Sequence, residues 1–123
     1  MAVMTVILGE PPYGRERAYL AMRFVMTART EGHDVNLFLF EEAVRLPLRT
    51  EGDGSGQGDG TEGLANSRNL IRSAIDMGAD VRICGVCAKE RQLRDEDLIE
   101  GTRIGGMQDL VRWIAAADKV VTF

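Results

Sequence analysis

The chain has 123 residues, is 45% apolar and 28% charged, and carries a formal charge of −4. That is the composition of an ordinary globular protein, with enough length for one hydrophobic core but not two, so a single domain over 1–123 is expected. The arginines are scattered rather than clustered, which argues against a nucleic-acid surface. No apolar run approaches the ~20 residues of a spanning helix, and no basic segment followed by a long apolar stretch opens the chain, so neither a membrane nor secretion is expected. A cytoplasmic location follows, where two cysteines are more often free, redox-active or metal-bound than permanently bridged.

Met4 to Leu8 is a short β-branched run closed by Gly9, a buried first strand. The loop Gly9-Glu10-Pro11-Pro12-Tyr13-Gly14 cannot extend it, because proline lacks the amide donor. From Arg15 to about Glu31 the residues Ala18, Ala21, Met22, Val25 and Ala28 recur at helical spacing, and Gly32 supplies a stop. Val35 to Phe40 is a second strand, completing a βαβ unit. Glu41 to Val44 starts a short helix that Pro47 curtails. The stretch Gly52 to Gly60 has no side chain able to anchor it in a core, so a flexible surface flap is expected at about 51–62. Leu64, Leu70, Ile71, Ala74 and Met77 mark another helix, ended near Gly78, and Asp80 to Cys84 is the third strand. One or two helical turns are expected over Arg94 to Ile99, and a very short strand over Thr102 to Ile104. Met107, Leu110, Val111, Ile114 and Ala115 repeat at i, i+3, i+4, i+7 and i+8, a final amphipathic helix before a last strand, Lys119 to Phe123. Strands alternating with helices predict a three-layer α/β/α domain around a mostly parallel sheet of about five strands.

Ligands of such sheets bind at the carboxyl ends of the strands. The predicted order puts Glu10 to Gly14, Glu41, Glu42 and Cys84 to Arg91 on that edge and the lone histidine, His33, on the other. Both cysteines of the chain lie in Val81-Arg82-Ile83-Cys84-Gly85-Val86-Cys87-Ala88. A C-x-x-C pair can share a metal, form a disulfide, or let one thiol resolve an adduct on the other. Zinc needs about four ligands, and two cysteines with one distant histidine fall short within a single subunit. A thioredoxin-like dithiol needs a later cis-proline, whereas Pro11, Pro12 and Pro47 all precede the cysteines. A buried strand-end cysteine acting as a small hydrophobe is the plain alternative. The sharper one is a nucleophilic thiol, with Lys89 and Arg91 near enough in sequence to favour its thiolate.

The stretch Ile83-Cys84-Gly85-Val86-Cys87-Ala88 with Arg91-Gln92-Leu93, Leu98 and Gly101, and the ending from Met107 through Leu110, Trp113, Ala117-Asp118-Lys119-Val120 and Phe123, resembles the DsrE/DsrF-like family. The Glu10-Pro11-Pro12-Tyr13-Gly14 loop and the strand end Phe38-Leu39-Phe40 fit the same resemblance. It implies a compact α/β subunit that forms homo-oligomers, commonly trimers or hexamers, or pairs with paralogous subunits. It also implies a sulfur carrier, with a persulfide on the cysteine matching Cys84, as in sulfur-relay subunits of the TusD and DsrE type. Cys87 is placed by spacing as a resolving thiol. Gln92 departs from the family, which has glycine there, and the glycine-rich flap is longer than the family leads one to expect.

The flap lacks the lysine and hydroxyl sequel of a phosphate loop, and Leu64 stands where a calcium loop needs glutamate, so neither a cofactor nor a metal is expected. Tyr13, Gly14, Glu41 and Arg91 are the candidate binding residues around the catalytic pair Cys84 and Cys87. Glu41 and Glu42 could orient a substrate, though acidic residues at a helix start commonly serve its dipole. Packing is the default for Met107 and Trp113, and oligomer contact the alternative. The leading expectation is a sulfur carrier or sulfurtransferase-like protein whose sulfur donor and acceptor are other proteins. The others are an oligomeric small-ligand-binding module with structural cysteines, and a dithiol redox or metal-sensing protein.

Overall fold

The computed structural model describes residues 1–49 and 62–123. The expected flap lies outside the described residues except for Glu62, which starts a helix. Five strands, β1 (Val3–Leu8), β2 (Asp34–Leu39), β3 (Asp80–Cys84), β4 (Thr102–Gly105) and β5 (Lys119–Thr122), form one sheet in the order β4-β3-β2-β1-β5. Every pairing is parallel. The helices are α1 (Arg17–Thr30), α2 (Glu62–Asp76), α3 (Gly85–Glu90) and α4 (Met107–Ala116). Short 3-10 turns occupy Glu41–Arg45 and Asp95–Asp97, where the sequence predicts brief helical pieces. No helix among the described residues is long and apolar enough to cross a membrane.

The chain steps from β1 to β4 in one direction and then returns to the far side of β1 for β5. Right-handed crossovers therefore put α1, α2 and α3 on one face and α4 on the other. Strand alternation sorts the side chains accordingly. Val6, Leu8, Leu37, Leu39, Val81 and Ile83 are fully buried on the α1/α2 face, met by Ala18, Ala21, Met22 and Val25 of α1 and by Ile71 and Ala74 of α2. On the opposite face Thr5 donates its hydroxyl to the Trp113 carbonyl at 3.3 Å, and Phe38 meets the Trp113 ring edge-on, centroids 6.2 Å apart.

The last helix departs from expectation. Of its apolar stripe only Leu110 is buried, with Trp113 half-buried, whereas Met107, Val111 and Ile114 are 55%, 60% and 40% exposed. The α-helical repeat sets Leu110 and Trp113 about a quarter turn from the Met107-Val111-Ile114 row, and a single helix lying on a sheet can seat only one of these rows. Met107 is thus solvent-facing in the single chain, and Trp113 is the residue that packs.

Candidate functional site

Cys84 ends β3 and caps α3, its sulfur accepting the Cys87 backbone N–H at 3.4 Å. The next residue is closely approached: a Cβ at Gly85 would stand 3.1 Å from the Gly105 carbonyl oxygen, tighter than an ordinary contact. Cys84 pairs with Gly105 of β4, and from these two strand ends the chain leaves in opposite directions, into α3 on one face and α4 on the other. Adjacent strand ends whose connections part in this way form the crevice where parallel sheets bind ligands. Both cysteines are free thiols; Cys84 is 5% exposed and Cys87 half-buried.

The turn after β2 closes over Cys87. The Glu41 N–H donates to Cys87 Sγ at 3.1 Å, with Glu41 itself at φ +52°. Glu42 accepts three hydrogen bonds: from Arg91 Nε at 2.7 Å, from Arg45 Nε at 2.8 Å and from the Tyr13 hydroxyl at 3.1 Å. These donors, Arg91 foremost, hold its carboxyl well below the usual range, at about 2. Arg91 also donates Nη1 to the Cys87 carbonyl at 3.0 Å. Burial pushes the Cys87 thiol up, its hydrogen bond to Cys84 adds to this, and the Glu41 amide and the Arg91 charge oppose it. Cys87 therefore stays protonated at neutral pH.

The structure brings together Cys84, Cys87, Glu41, Arg91 and Tyr13, though not as the sequence suggests. Glu41 reaches the site through its backbone. Arg91 is ion-paired with Glu42 instead of standing free beside a thiolate, and Lys89 is exposed. Gly14, at φ +90°, turns the loop beside Tyr13, with open space where a Cβ would be. His33 lies at the amino edge, where its Nδ1 accepts the Ala2 N–H at 2.9 Å. Gln92 adopts φ +58°, so the backbone expected of a glycine is kept by another residue. Arg45 is the site residue that sequence reasoning missed; its i,i+3 spacing from Glu42 was the available signal. Among the described residues no three metal-ligating side chains converge.

A sequence model of the DsrE/DsrF-like family matches residues 2–123. MJ0989 of Methanocaldococcus jannaschii is 43% identical over 119 residues, 97% of each chain. YchN of Escherichia coli is 28% identical over the whole of both chains, and its crystal structure superposes with a TM-score of 0.85. MTH1491 of Methanobacterium thermoautotrophicum, at 12% identity and full coverage of both chains, shares the fold with a TM-score of 0.77.

Proposed function

The chain belongs to the DsrE/DsrF-like family, a family linked to sulfur relay, and on that premise we propose that it carries sulfane sulfur as a persulfide on Cys84, with Cys87 as the resolving thiol. The observation that carries this reading is the pair itself: a strand-end sulfur in the crevice between β3 and β4 that accepts the backbone N–H of Cys87, which sets a second free thiol beside it three residues on. The Cys84 thiolate attacks the outer sulfur of a donor persulfide, the donor leaves as its thiolate, and the sulfane sulfur stays on Cys84. An acceptor thiolate then removes that outer sulfur, or Cys87 attacks Cys84 Sγ and expels it as hydrosulfide. The chemistry asks for two thiols and no cofactor, and a reducing cytoplasm suits it because both thiols must be free.

Intact-mass measurement of reduced protein after exposure to a persulfide donor tests the reading. A gain of about 32 Da, one sulfur atom, is expected in the native chain and in Cys87→Ser but not in Cys84→Ser. Uptake by Cys84→Ser, or none by the native chain, overturns it. The 5% exposure of Cys84 favours one other reading, a small-ligand-binding module in which the cysteines are structural; an unreactive Cys84 beside saturable ligand binding would establish it.

Members of the family form oligomers, and we infer that copies of this chain, or a paralogous subunit, meet on the α4 face as a trimer or hexamer. Met107, Val111 and Ile114 supply the apolar surface, and Val120 of β5 shares the sheet face on which α4 lies, because it pairs with Thr5. Each such side chain gains up to about 1.5–3 kcal/mol on full burial. The helix starts two residues beyond Gly105, so an interface there would border the Cys84 crevice.

A further inference from the structure

Cys87 is gripped at two atoms, one by the turn after β2 and one by the residue that ends α3. Its sulfur accepts the Glu41 amide hydrogen at 3.1 Å, and its carbonyl oxygen accepts Arg91 Nη1 at 3.0 Å. Arg91 Nε is in turn held by Glu42 Oε2 at 2.7 Å, while Glu42 Oε1 is occupied by Arg45 and Tyr13. A carboxylate with both oxygens engaged is unsuited to carrying a proton and well suited to tying two segments together.

Glu41 has the less favourable backbone of the two. Its φ of +52° lies in the left-handed region that residues with a side chain seldom adopt. Phe40 before it is extended, at φ −133° and ψ 175°, and donates its N–H to the Leu8 carbonyl as the last rung of β2 with β1. The reversal at Glu41 lets the peptide between residues 40 and 41 face the Cys87 sulfur while the next side chain swings back to Arg91. Strain of this kind persists where the surroundings over-determine it, and it concentrates at working sites.

We propose that Glu41, Glu42 and Arg91 form a clamp that positions the Glu41 amide on Cys87 Sγ, stabilising the thiolate that Cys87 must become before it attacks the Cys84 persulfide. The clamp rests on the reading of Cys87 as the resolving thiol. In that step a bond forms between Cys87 Sγ and Cys84 Sγ, and the bond from Cys84 Sγ to the outer sulfur breaks. The outer sulfur takes the bonding pair and the Cys87 proton and leaves as hydrogen sulfide. It gains two electrons, one from each cysteine sulfur, and a dithiol reductant later restores both thiols. The amide is a fixed donor already in place when the Cys87 proton departs, and a hydrogen bond to the charged form of a thiol favours that form.

The titratable and charged groups on the elements around Cys87 are Cys84, Lys89, Glu90 and Arg91 on its own segment, Glu41, Glu42 and Arg45 from the turn after β2, Asp80 and Arg82 of β3, Arg103 of β4, and Glu10 and Tyr13 from the loop after β1. Removing the Glu42 carboxylate would, by charge alone, make the Cys87 thiolate easier to form. Releasing the clamp makes it harder. The two explanations predict opposite signs.

The test is the rate of Cys87 alkylation by iodoacetamide against pH in a Cys84→Ser background, with Glu42→Ala, Glu42→Gln and Arg91→Lys added singly. Glu42→Ala is expected to raise the midpoint by about one pH unit, a roughly tenfold loss of rate below it. Arg91→Lys keeps the charge but cannot hold the Cys87 carbonyl and Glu42 together, and it should move the midpoint the same way. A midpoint unmoved or lowered by these variants overturns the clamp. Thermal melting identifies any variant that fails to fold, in which case the remaining two decide by the same sign. Sulfur uptake by the native chain is read separately. Normal uptake with an insensitive midpoint removes the clamp alone, whereas a sensitive midpoint without uptake removes the sulfur-carrier reading and its resolving step, and leaves only the hold on the Cys87 thiolate.

Discussion

Beneath α1 and α2 the sheet presents Val6, Leu8, Leu37, Leu39, Val81 and Ile83, none with any exposed surface; beneath α4 the same strands present Thr5, Phe38 and Arg82, and the covering helix leaves Met107, Val111 and Ile114 in solvent. The first face is a completed core. The second is half covered and partly polar. Arg82 sits there between Asp80, at 3.1 Å, and Asp109, at 3.2 Å, with its guanidinium 4.8 Å from the centre of the Trp113 ring. The hydrogen bond to Asp80 comes first among the influences that raise the pKa of Arg82 above its ordinary value. Apolar spacing marks a surface that is better buried, and the contrast shows that it leaves open whether the burial is internal or against another chain.

The comparison can be broken most forcefully on the completed face. Leu37→Ala should cost about 2–5 kcal/mol in chemical denaturation, a large part of the 5–15 kcal/mol typical of a domain. A loss under about 1 kcal/mol would mean that this face is not the core. On the other face Arg82→Ala should cost about 1–2 kcal/mol, since it removes a cation–π contact and deprives both Asp80 and Asp109 of their Arg82 partner. A fall in melting temperature that vanishes at high salt would assign the loss to the ion pairs alone. Val111→Glu should leave the stability of the single chain within about 0.5 kcal/mol, yet shift the sedimentation profile toward monomer. An unchanged profile, or a profile already monomeric in the native chain, would leave the α4 row without a partner.

The smallest effect is expected at the carboxyl edge, where Glu42 ties the turn after β2 to the segment after α3. Its folded pKa, about 2, lies below the ordinary value of 4.5, so its contribution is complete above pH 4.5 and is lost as pH falls toward 2. Glu42→Gln should therefore flatten the acid limb of the stability curve within that window and leave the limb above pH 5 unaltered in shape. Because Glu42 is more than a third exposed, solvent screens the pair and the change will be modest.

Much of the candidate site's location was legible from Cys84 itself, which follows a β-branched run and precedes a glycine, and so lands at a strand end on the carboxyl edge of the sheet. The exclusion of His33 from that edge was legible in the same way. The grip on Cys87 was not. Glu41 lies 46 residues from Cys87 and Glu42 49 residues from Arg91, and hydrogen bonds across such separations leave no periodic trace in a sequence. Nor does spacing reveal that Glu41 takes up a left-handed backbone, which a glycine would have announced.

What the sequence determined by itself was the succession of strands and helices, the parallel sheet and the edge on which both cysteines fall. Those follow from alternation, helical repeat and turn residues, all local properties of the chain. Only the tertiary structure decided which apolar row of α4 meets the sheet, that Arg91 is bound to Glu42 rather than free beside a thiol, and that an amide and not a side chain of Glu41 reaches Cys87. These outcomes depend on how distant segments compete for the same space and the same hydrogen bonds, and that competition is settled only when the layers close.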